Sequence, residues 1–350
     1  VGAEGAGLLN EYYTPTNVIK SIWNIVQKLA PNAQTAFEPS LGVGRFIMES
    51  PVDIQVDGAE ISKVSGTIAS ILHPDSNITI GDFQELFFDR KTNKQKPIKQ
   101  YDVLVGNPPF GDRAGFLKGK GEESKINREE EYFIKRGLDM TKDGGYLVYV
   151  VNSSFLKTGI SAGKQAISLQ GQLVEAYRLP ENSFEDTSIG TDIVVFKKLP
   201  AKEADMGPVR SRTITDDIYF RANPANVLGE TLTRKNKFGQ METYVKGDLE
   251  EALKKINPTE VKLSQLANMM GIPFTEIKAD IEDIGEIAET AENFTEFKNE
   301  VIEKYDNADV VEGIIEDNGF NDLMEVFDKA NEVQEEEVVV PKKITKVELN

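Results

Sequence analysis

The 350-residue sequence contains no cysteine, a single histidine and a single tryptophan. Without cysteine, the chain can form neither a disulfide nor a thiolate metal site, and it has no thiol nucleophile. The one histidine, His73, precedes a proline in a predicted loop, and we expect it at the surface. Covalent catalysis through sulfur is therefore excluded, and no metal site is predicted.

Long hydrophobic runs are also absent. No apolar stretch approaches the roughly 20 residues that are needed to cross a bilayer. The first 30 residues lack the basic-then-apolar order of a secretion signal. We therefore expect neither a membrane partner nor export.

The negative charge of the chain, −18 at pH 7, is unevenly distributed. Residues 1–200 contain 22 Lys and Arg against 25 Asp and Glu, whereas residues 201–350 contain 18 against 33. An acidic chain has little general affinity for nucleic acid, because binding to phosphates requires Lys and Arg. The nearly neutral first part can still carry a local basic face.

Helical and strand-like patterns alternate through residues 1–200. A helical stripe of apolar residues runs from Pro15 to Leu29, and helical segments are predicted over Ser62–Leu72 and Arg128–Met140. Seven short apolar runs are predicted strands: Thr35–Pro39, Asp53–Ile61, Ile78–Asp82, Asp102–Asn107, Tyr146–Asn152, Leu173–Leu179 and Asp192–Leu199. The alternation predicts an α/β fold with a Rossmann-like, doubly wound, mostly parallel sheet. The last two runs have only a short connection, which predicts an antiparallel pair.

Three regions are predicted along the chain. Residues 1–200 form the α/β domain, residues 201–247 an irregular connecting segment, and residues 248–350 an acidic, mainly helical region with a tail. The stretch from Phe110 to Asn127 has no periodicity and is a candidate for a mobile loop.

The first predicted strand ends in the sequence Phe-Glu-Pro-Ser-Leu-Gly-Val-Gly-Arg-Phe, residues 37–46. Gly42 and Gly44 permit a tight turn and close approach of a ligand to the backbone, and the first such turn of a doubly wound sheet is the usual cofactor crevice. The third glycine of a pyrophosphate-binding loop is missing, and Glu38 would repel a diphosphate but suit an ammonium group. An ordinary glycine turn is the alternative interpretation.

Carboxylates end the next two predicted strands. Glu60, followed by Ile61, lies about 20 residues after the glycines, where an acidic residue can accept both ribose hydroxyls. Asp82 can accept a hydrogen bond from an exocyclic amine while Phe83 packs on a purine face. Either carboxylate alone could be a surface residue, but three successive strand ends together suit a nucleoside that carries an amino acid.

The fourth strand is followed by Asn107-Pro108-Pro109-Phe110. The two prolines fix the backbone and remove two donors, which leaves carbonyl oxygens exposed. The Asn107 side-chain oxygen and the Pro108 carbonyl can then accept both hydrogens of an –NH2 group, and Phe110 offers a face for stacking a base. The alternative is a Pro-Pro turn that simply closes a strand.

These motifs resemble the N6-adenine DNA methyltransferases in which the cofactor motif precedes the catalytic one, as in type I and type IIG restriction-modification methylases. The resemblance covers about residues 8–200, including Asn10 to Pro15, which is similar to the opening Thr-Pro motif of the family. It implies the seven-stranded methyltransferase sheet and S-adenosyl-L-methionine as cofactor. The implied cofactor-binding residues are Tyr13, Thr14, Glu38, Ser40, Gly42, Gly44, Glu60, Ile61, Asp82, Phe83 and Asn107.

The same resemblance implies that Asn107, Pro108, Pro109 and Phe110 are catalytic. Target adenine, flipped out of the duplex, would be stacked on Phe110, with Phe196 as a second aromatic near the base. A core position is the alternative for Phe196. The absence of cysteine agrees with direct methyl transfer and excludes the methylases that attack carbon 5 of cytosine through a thiol.

Residues 219–239 resemble the segment after the methylase domain in very large phage- and plasmid-borne methylase–helicase proteins. This implies DNA modification that protects phage or mobile-element DNA from restriction, other domains of a larger parent protein as partners, and a location in the bacterial cytoplasm or on a virion. Two alternatives stay open. One is methylation of a protein glutamine, whose enzymes share the Asn-Pro-Pro-aromatic motif; the other is a catalytically idle structural or interaction protein.

Overall fold

The computed structural model describes residues 13–259, apart from 90, 93, 114–124, 185–188, 201–206 and 236–238, together with short pieces between 284 and 328. The chain divides into two compact units, Val1–Met270 and Gly271–Asn350. Most of the predicted mobile loop therefore lies outside the described residues, and so does most of the predicted acidic helical region.

A seven-stranded sheet forms the centre of the first unit. Its strands in chain order are β1 (Thr35–Glu38), β2 (Gln55–Glu60), β3 (Ile78–Ile80), β4 (Tyr101–Gly106), β5 (Thr141–Asn152), β6 (Gly171–Arg178) and β7 (Thr191–Lys198). The spatial order is β3-β2-β1-β4-β5-β7-β6. The first five strands are parallel, and β7 lies antiparallel between β5 and β6. The predicted fold class and the antiparallel pair are thereby confirmed.

Helices cover both faces of the sheet. They are α1 (Thr16–Leu29), α2 (Arg45–Met48), α3 (Lys63–Leu72), α4 (Glu129–Met140), α5 (Ser154–Lys157) and α6 (Ala162–Ser168). The apolar stripe of α1 is buried, and Trp23 donates a hydrogen bond of 3.0 Å to the carbonyl oxygen of Phe46. Ser62 caps α3 by accepting from the backbone N–H of Ser65.

Alternating residues of the central strands divide the core into two layers. Val103 and Val105 of β4 pack with α1 on one face, whereas Leu104 packs with α4 on the other. All three side chains have no exposed surface. The sheet is thus covered on both faces, as expected for parallel strands.

The segment 201–247, expected to be irregular, instead contains regular elements where it is described. They are α7 (Gly207–Thr213), α8 (Ile218–Ala222) and a hairpin of β8 (Glu230–Lys235) and β9 (Met241–Lys246), followed by α9 (Leu249–Leu253). Most positions of the two hairpin strands are exposed and carry polar residues. The sequence therefore lacks the regular alternation of apolar and polar residues that identifies a half-buried strand. Arg178 of β6 forms ion pairs with Asp192 and Asp217, and its guanidinium lies over the Phe220 ring. Buried Arg178 thereby ties this segment to the sheet.

In the second unit, a helix α10 (Phe294–Tyr305) is described, and Phe297 is the centre of a small buried cluster. None of the helices within the described parts of the chain is long and apolar enough to cross a membrane.

Candidate active site

Four of the predicted motifs meet at the carboxyl ends of neighbouring strands. β1 pairs with β2 on one side and with β4 on the other, so the chain reverses its direction of winding between β1 and β4. Ligands of doubly wound sheets bind at such a switch point. The glycine turn follows β1, Glu60 ends β2, Asp82 follows β3, and Asn107 follows β4.

The turn after β1 requires both of its glycines. Gly42 and Gly44 have φ angles of 56° and 88°, which L side chains rarely adopt. The backbone N–H of Gly44 donates to the carbonyl oxygen of Leu41, and that of Leu41 donates to Ala59 in β2. The turn is therefore held against β2, with Ser40 half-buried beside it.

Glu60 closes the turn from the neighbouring strand. One carboxylate oxygen accepts from the N–H of Gly42 and the other from the N–H of Ser62, both at 2.7 Å. A carboxylate oxygen has two lone pairs and can accept more than one hydrogen bond. The next residue, Ile61, is 71% exposed and places an apolar surface beside this carboxylate.

Glu38 is a carboxylate with little solvent around it. Its side chain is 2% exposed, and one of its oxygens has no hydrogen-bond partner among the described residues. Burial, reinforced by the negative charge of Glu60, raises the pKa of Glu38 well above its usual range. A buried acceptor of this kind suits a positively charged donor such as the ammonium group of S-adenosylmethionine.

The end of β4, which leads into the Asn107–Phe110 turn, lies close to Glu38. Gly106, with a φ of 152°, directly precedes the turn, and a methyl group added to it would lie 3.4 Å from Cγ of Glu38 and 3.5 Å from Cδ of Pro39. Asn107 is half-buried with its side-chain oxygen shielded from solvent, Pro108 is buried, Pro109 is exposed and Phe110 is half-buried. The predicted catalytic turn and the predicted cofactor crevice are thus adjacent.

Asp82 and Phe83 differ in their accessibility. Asp82 is half-buried and caps a 3-10 turn (Phe83–Leu86) by accepting from the N–H of Gln84 at 2.9 Å. Phe83 is 4% exposed and stacks on Phe133, with ring centroids 4.8 Å apart. One face of Phe83 is therefore already covered, and its contact with a purine stays a prediction.

The predicted opening motif lies beside α2, and its residues before Tyr13 are outside the described part of the chain. Tyr13 is 45% exposed and Thr14 is buried. Arg45 joins this segment to the glycine turn, since its guanidinium lies 5.9 Å from the Tyr13 ring and donates to the Thr16 hydroxyl. Tyr13 and Thr14 are thus brought close to Gly44.

Two sequence expectations need correction. Phe196 is fully buried between β5 and β6 and lies edge-on to Phe155, so it is a core residue in this structure and does not present a face to a base. His73, expected at the surface, is half-buried, because its ring packs against Gly44. That glycine lacks a side chain, which leaves the space that the imidazole fills.

One buried residue near the site is not predicted from the sequence. Arg113, buried at the base of the loop, donates to the Gln84 side chain at 2.7 Å, and its guanidinium lies 3.7 Å from the centre of the Tyr132 ring. It thus connects the chain after Phe110 to the turn that begins at Asp82. A lone arginine in a stretch of Gly, Lys and Glu has no sequence feature that distinguishes it.

Within the described residues, no group of His, Asp and Glu could hold a metal ion.

Comparisons with known proteins find similarity to a phage protein and to methyltransferases. It is 32% identical over 209 residues to "Defense against restriction protein B" of Escherichia phage P1, covering 58% of this chain and 9% of that protein. It is 25% identical over 208 residues to "Type II methyltransferase M.HincII" of Haemophilus influenzae, covering 56% of this chain and 38% of that protein. The chain therefore spans less than two fifths of the length of either relative.

Among solved structures, the chain is similar to the type I restriction enzyme EcoKI M protein, with 16% identity and a TM-score of 0.45, over 75% of this chain and 70% of that one. A type I methyltransferase subunit from Streptococcus thermophilus has 21% identity and a TM-score of 0.44, over 54% and 45% of the two chains. Residues 52–182 match the model of the Eco57I restriction-modification methylase family. This match confirms the resemblance to the restriction-modification methylases that the motifs indicate.

Proposed function

We propose that this chain transfers a methyl group from S-adenosylmethionine to the N6 amino group of an adenine in DNA. The observation that carries the proposal is the contact between Gly106 and Glu38, which brings the Asn-Pro-Pro-Phe turn against the cofactor crevice. The similarity to restriction-modification methylases supports the same reaction.

The cofactor residues are assigned by the groups that each could bind. The Glu38 carboxylate would hold the ammonium group, Glu60 the ribose hydroxyls and Asp82 the purine amine, while Ile61 would pack on the purine. Tyr13, Thr14, Ser40, Gly42 and Gly44 would line the methionine end. When bound, S-adenosylmethionine supplies a methyl group on a positively charged sulfur.

The catalytic turn acts by positioning. An aromatic amine is a poor nucleophile, because its lone pair is delocalised into the ring. The Asn107 side-chain oxygen and the Pro108 carbonyl would accept its two hydrogens and favour a pyramidal nitrogen with an available lone pair. Pro109 fixes the backbone, and Phe110 would stack on the adenine after it leaves the duplex. In this arrangement the close approach to Glu38 would hold this nitrogen beside the cofactor crevice.

The biological setting that we propose is protection of phage or mobile-element DNA from restriction. The phage P1 relative is named for defence against restriction, and it is much longer than this chain. Other domains of a longer protein are therefore the expected partners, and a bacterial cytoplasm is the expected location.

The test is methyl transfer from labelled S-adenosylmethionine to duplex DNA, with digestion of the product to identify the methylated base. We expect label in N6-methyladenine. Asn107→Ala should still bind the cofactor in calorimetry but lose methyl transfer by at least about a hundredfold, because it removes one acceptor from the reacting amine. An Asn107→Ala variant with normal activity would contradict the mechanism.

The two alternatives predict different results when a release factor is offered as a second substrate beside the DNA. Label in a release factor instead of DNA would indicate a protein-glutamine methyltransferase. Absence of cofactor binding by the unmodified chain would indicate an idle structural protein.

A further inference from the structure

A second cleft lies at the carboxyl edge of the sheet. It is a cavity of about 850 Å³, within the range of pockets that hold small organic groups, about 300–1,000 Å³. The ends of β5 and β6 and the residues before β7 form its floor. The β8–β9 hairpin forms its outer wall.

This cleft begins one strand away from the catalytic turn. Gly106, which precedes Asn107, pairs with Tyr149 of β5, and β5 continues for three residues to Asn152, which lines the cleft. Neighbouring strands are about 4.8 Å apart. A polymer with one nucleotide at Asn107 would therefore have its adjoining backbone close to the cleft.

The hairpin wall is firmly attached to the sheet. Arg234 of β8 donates to both carboxylate oxygens of Glu181 at 2.7 Å and to Glu242 of β9 at 2.7 Å. The backbone N–H of Glu181 donates to the carbonyl oxygen of Val245 at 2.8 Å. These contacts hold the cleft open as a defined surface.

The cations of the cleft fall into two classes. Arg178 is paired with Asp192 and Asp217, and Arg234 with Glu181 and Glu242, so these carboxylates are already engaged. Lys157 and Lys235 line the same cleft, and neither forms an ion pair among the described residues. The charges of Asp192, Asp217 and Glu181 act on the Lys157 ammonium group, but the charge of Arg178 opposes them. Lys157 is half-buried, and its ammonium group donates only a long hydrogen bond, 3.3 Å, to the Thr243 carbonyl. Two lysines without an ion pair that share one cleft favour an anionic occupant.

We propose that this cleft binds the sugar-phosphate backbone of the DNA strand next to the target nucleotide, with Lys157 and Lys235 contacting its phosphates. The inference rests on the proposed function, because it is the neighbouring catalytic turn that identifies the anion as DNA. It assigns the β8–β9 hairpin, which lies after the sheet in the chain, to DNA binding.

The test is the salt dependence of DNA binding by the full chain with S-adenosylmethionine present. Each phosphate contact contributes about 0.9 to the slope of log K against log salt concentration for duplex DNA. Lys157→Gln and Lys235→Gln should each reduce the slope by about one, and the double variant by about two, regardless of DNA sequence. Lys255→Gln, which removes the same charge from an exposed position outside the cleft, should leave the slope unchanged.

Unaltered melting temperatures will establish that the variants fold. Slopes of both cleft variants equal to those of the unmodified chain and of Lys255→Gln would overturn the proposal, and so would absence of DNA binding by the unmodified chain. Reduced slopes without any methyl transfer by the unmodified chain would support the cleft as a DNA site while contradicting the proposed methylation. Methyl transfer by the unmodified chain with unaffected slopes would support the proposed methylation and contradict the cleft as a DNA site.

Discussion

At the residue scale, Glu38 combines deep burial with a missing partner. One carboxylate oxygen lacks a hydrogen bond among the described residues, and burial raises the pKa of Glu38. In the absence of cofactor the side chain therefore binds a proton at higher pH than an ordinary glutamate, whose pKa is about 4.3. An ammonium group in contact with it would favour the charged form.

Cofactor binding should consequently release a proton from Glu38. Between the usual glutamate pKa and the raised pKa of Glu38, the affinity for S-adenosylmethionine should increase with pH. At lower pH the free energy of removing the proton from Glu38 is subtracted from that of binding, and at higher pH the side chain is already ionised. Over the same window the stability of the cofactor-free protein should decrease, since its folded state holds the proton more tightly than its unfolded state. Calorimetry in buffers of different ionisation enthalpy will measure the proton release, and an affinity independent of pH would contradict this role.

Glu38→Gln should abolish that proton release and weaken cofactor binding by about 1.5–3 kcal/mol, the value of a hydrogen bond to a charged group. This corresponds to roughly 10- to 100-fold in Kd. Glu131→Gln is a matched control, because Glu131 is also buried but its carboxylate accepts from the Ser161 hydroxyl. The control should bind the cofactor normally.

At the scale of elements, the end of β4 has to approach the β1 turn closely. Gly106→Ala would introduce a side chain at a φ of 152° and within 3.4 Å of Glu38. Backbone strain of this kind costs about 1–3 kcal/mol, and displacement of a catalytic group by about 1 Å can reduce the rate a hundredfold.

We therefore expect Gly106→Ala to fold, to bind S-adenosylmethionine with modest loss and to lose methyl transfer about a hundredfold. Gly159→Ala serves as the control, because Gly159 is exposed and an added methyl group there would lie 3.9 Å from its nearest neighbour. Initial rates with labelled cofactor compare the two. Equal rates would show that the close approach at Gly106 is unimportant.

The sequence predicts these elements better than their contacts. The seven apolar runs correspond to the seven strands, because most of these strands are buried and therefore rich in apolar residues. β5, however, begins at Thr141, whereas the sequence predicts its start at Tyr146. The first residues of β5 include Lys, Asp and Gly, which are typical of a loop. The β8–β9 hairpin is not predicted, because most positions of its strands are exposed and Val245 is the one buried residue in them. The contact of Gly106 with Glu38 depends on strand order and is invisible in local sequence.

Buried aromatic residues show a similar limit. Phe196 lies in β7 and Phe83 follows β3, and both side chains are buried. Ile61, which follows β2 beside Glu60, is exposed. Composition alone cannot separate an aromatic residue that stacks on a ligand from one that fills the core, because both are apolar and both occur near strand ends. The accessibility that distinguishes them arises only when the layers pack.

At the scale of the whole molecule, the first compact unit extends past the sheet to Met270. Tyr219 and Phe220 of α8 belong to the core on the α4 face, and the Tyr219 hydroxyl donates to Glu175 of β6 at 3.1 Å. The sequence predicts a domain boundary at residue 200, and a domain that ended there would lack these contacts.

A fragment of residues 1–200 should therefore be less stable than a fragment of residues 1–270. Loss of the buried Tyr219 and Phe220 side chains alone should cost about 3–6 kcal/mol, at about 1.5–3 kcal/mol each. Urea unfolding followed by circular dichroism will compare the two fragments. Equal midpoints would show instead that residue 200 is an independent domain boundary.

The position of β7 has a consequence for synthesis on the ribosome. In the seven-stranded sheet β6 is joined to β5 only through β7, which comes later in the chain than either. While Thr191–Lys198 is still inside the exit tunnel, the five parallel strands of the nascent chain can pair with one another. β6 then has no strand to pair with, and the edge of β5 is uncovered. Completion of the sheet is therefore a late event, and it precedes emergence of the segment that carries Tyr219 and Phe220.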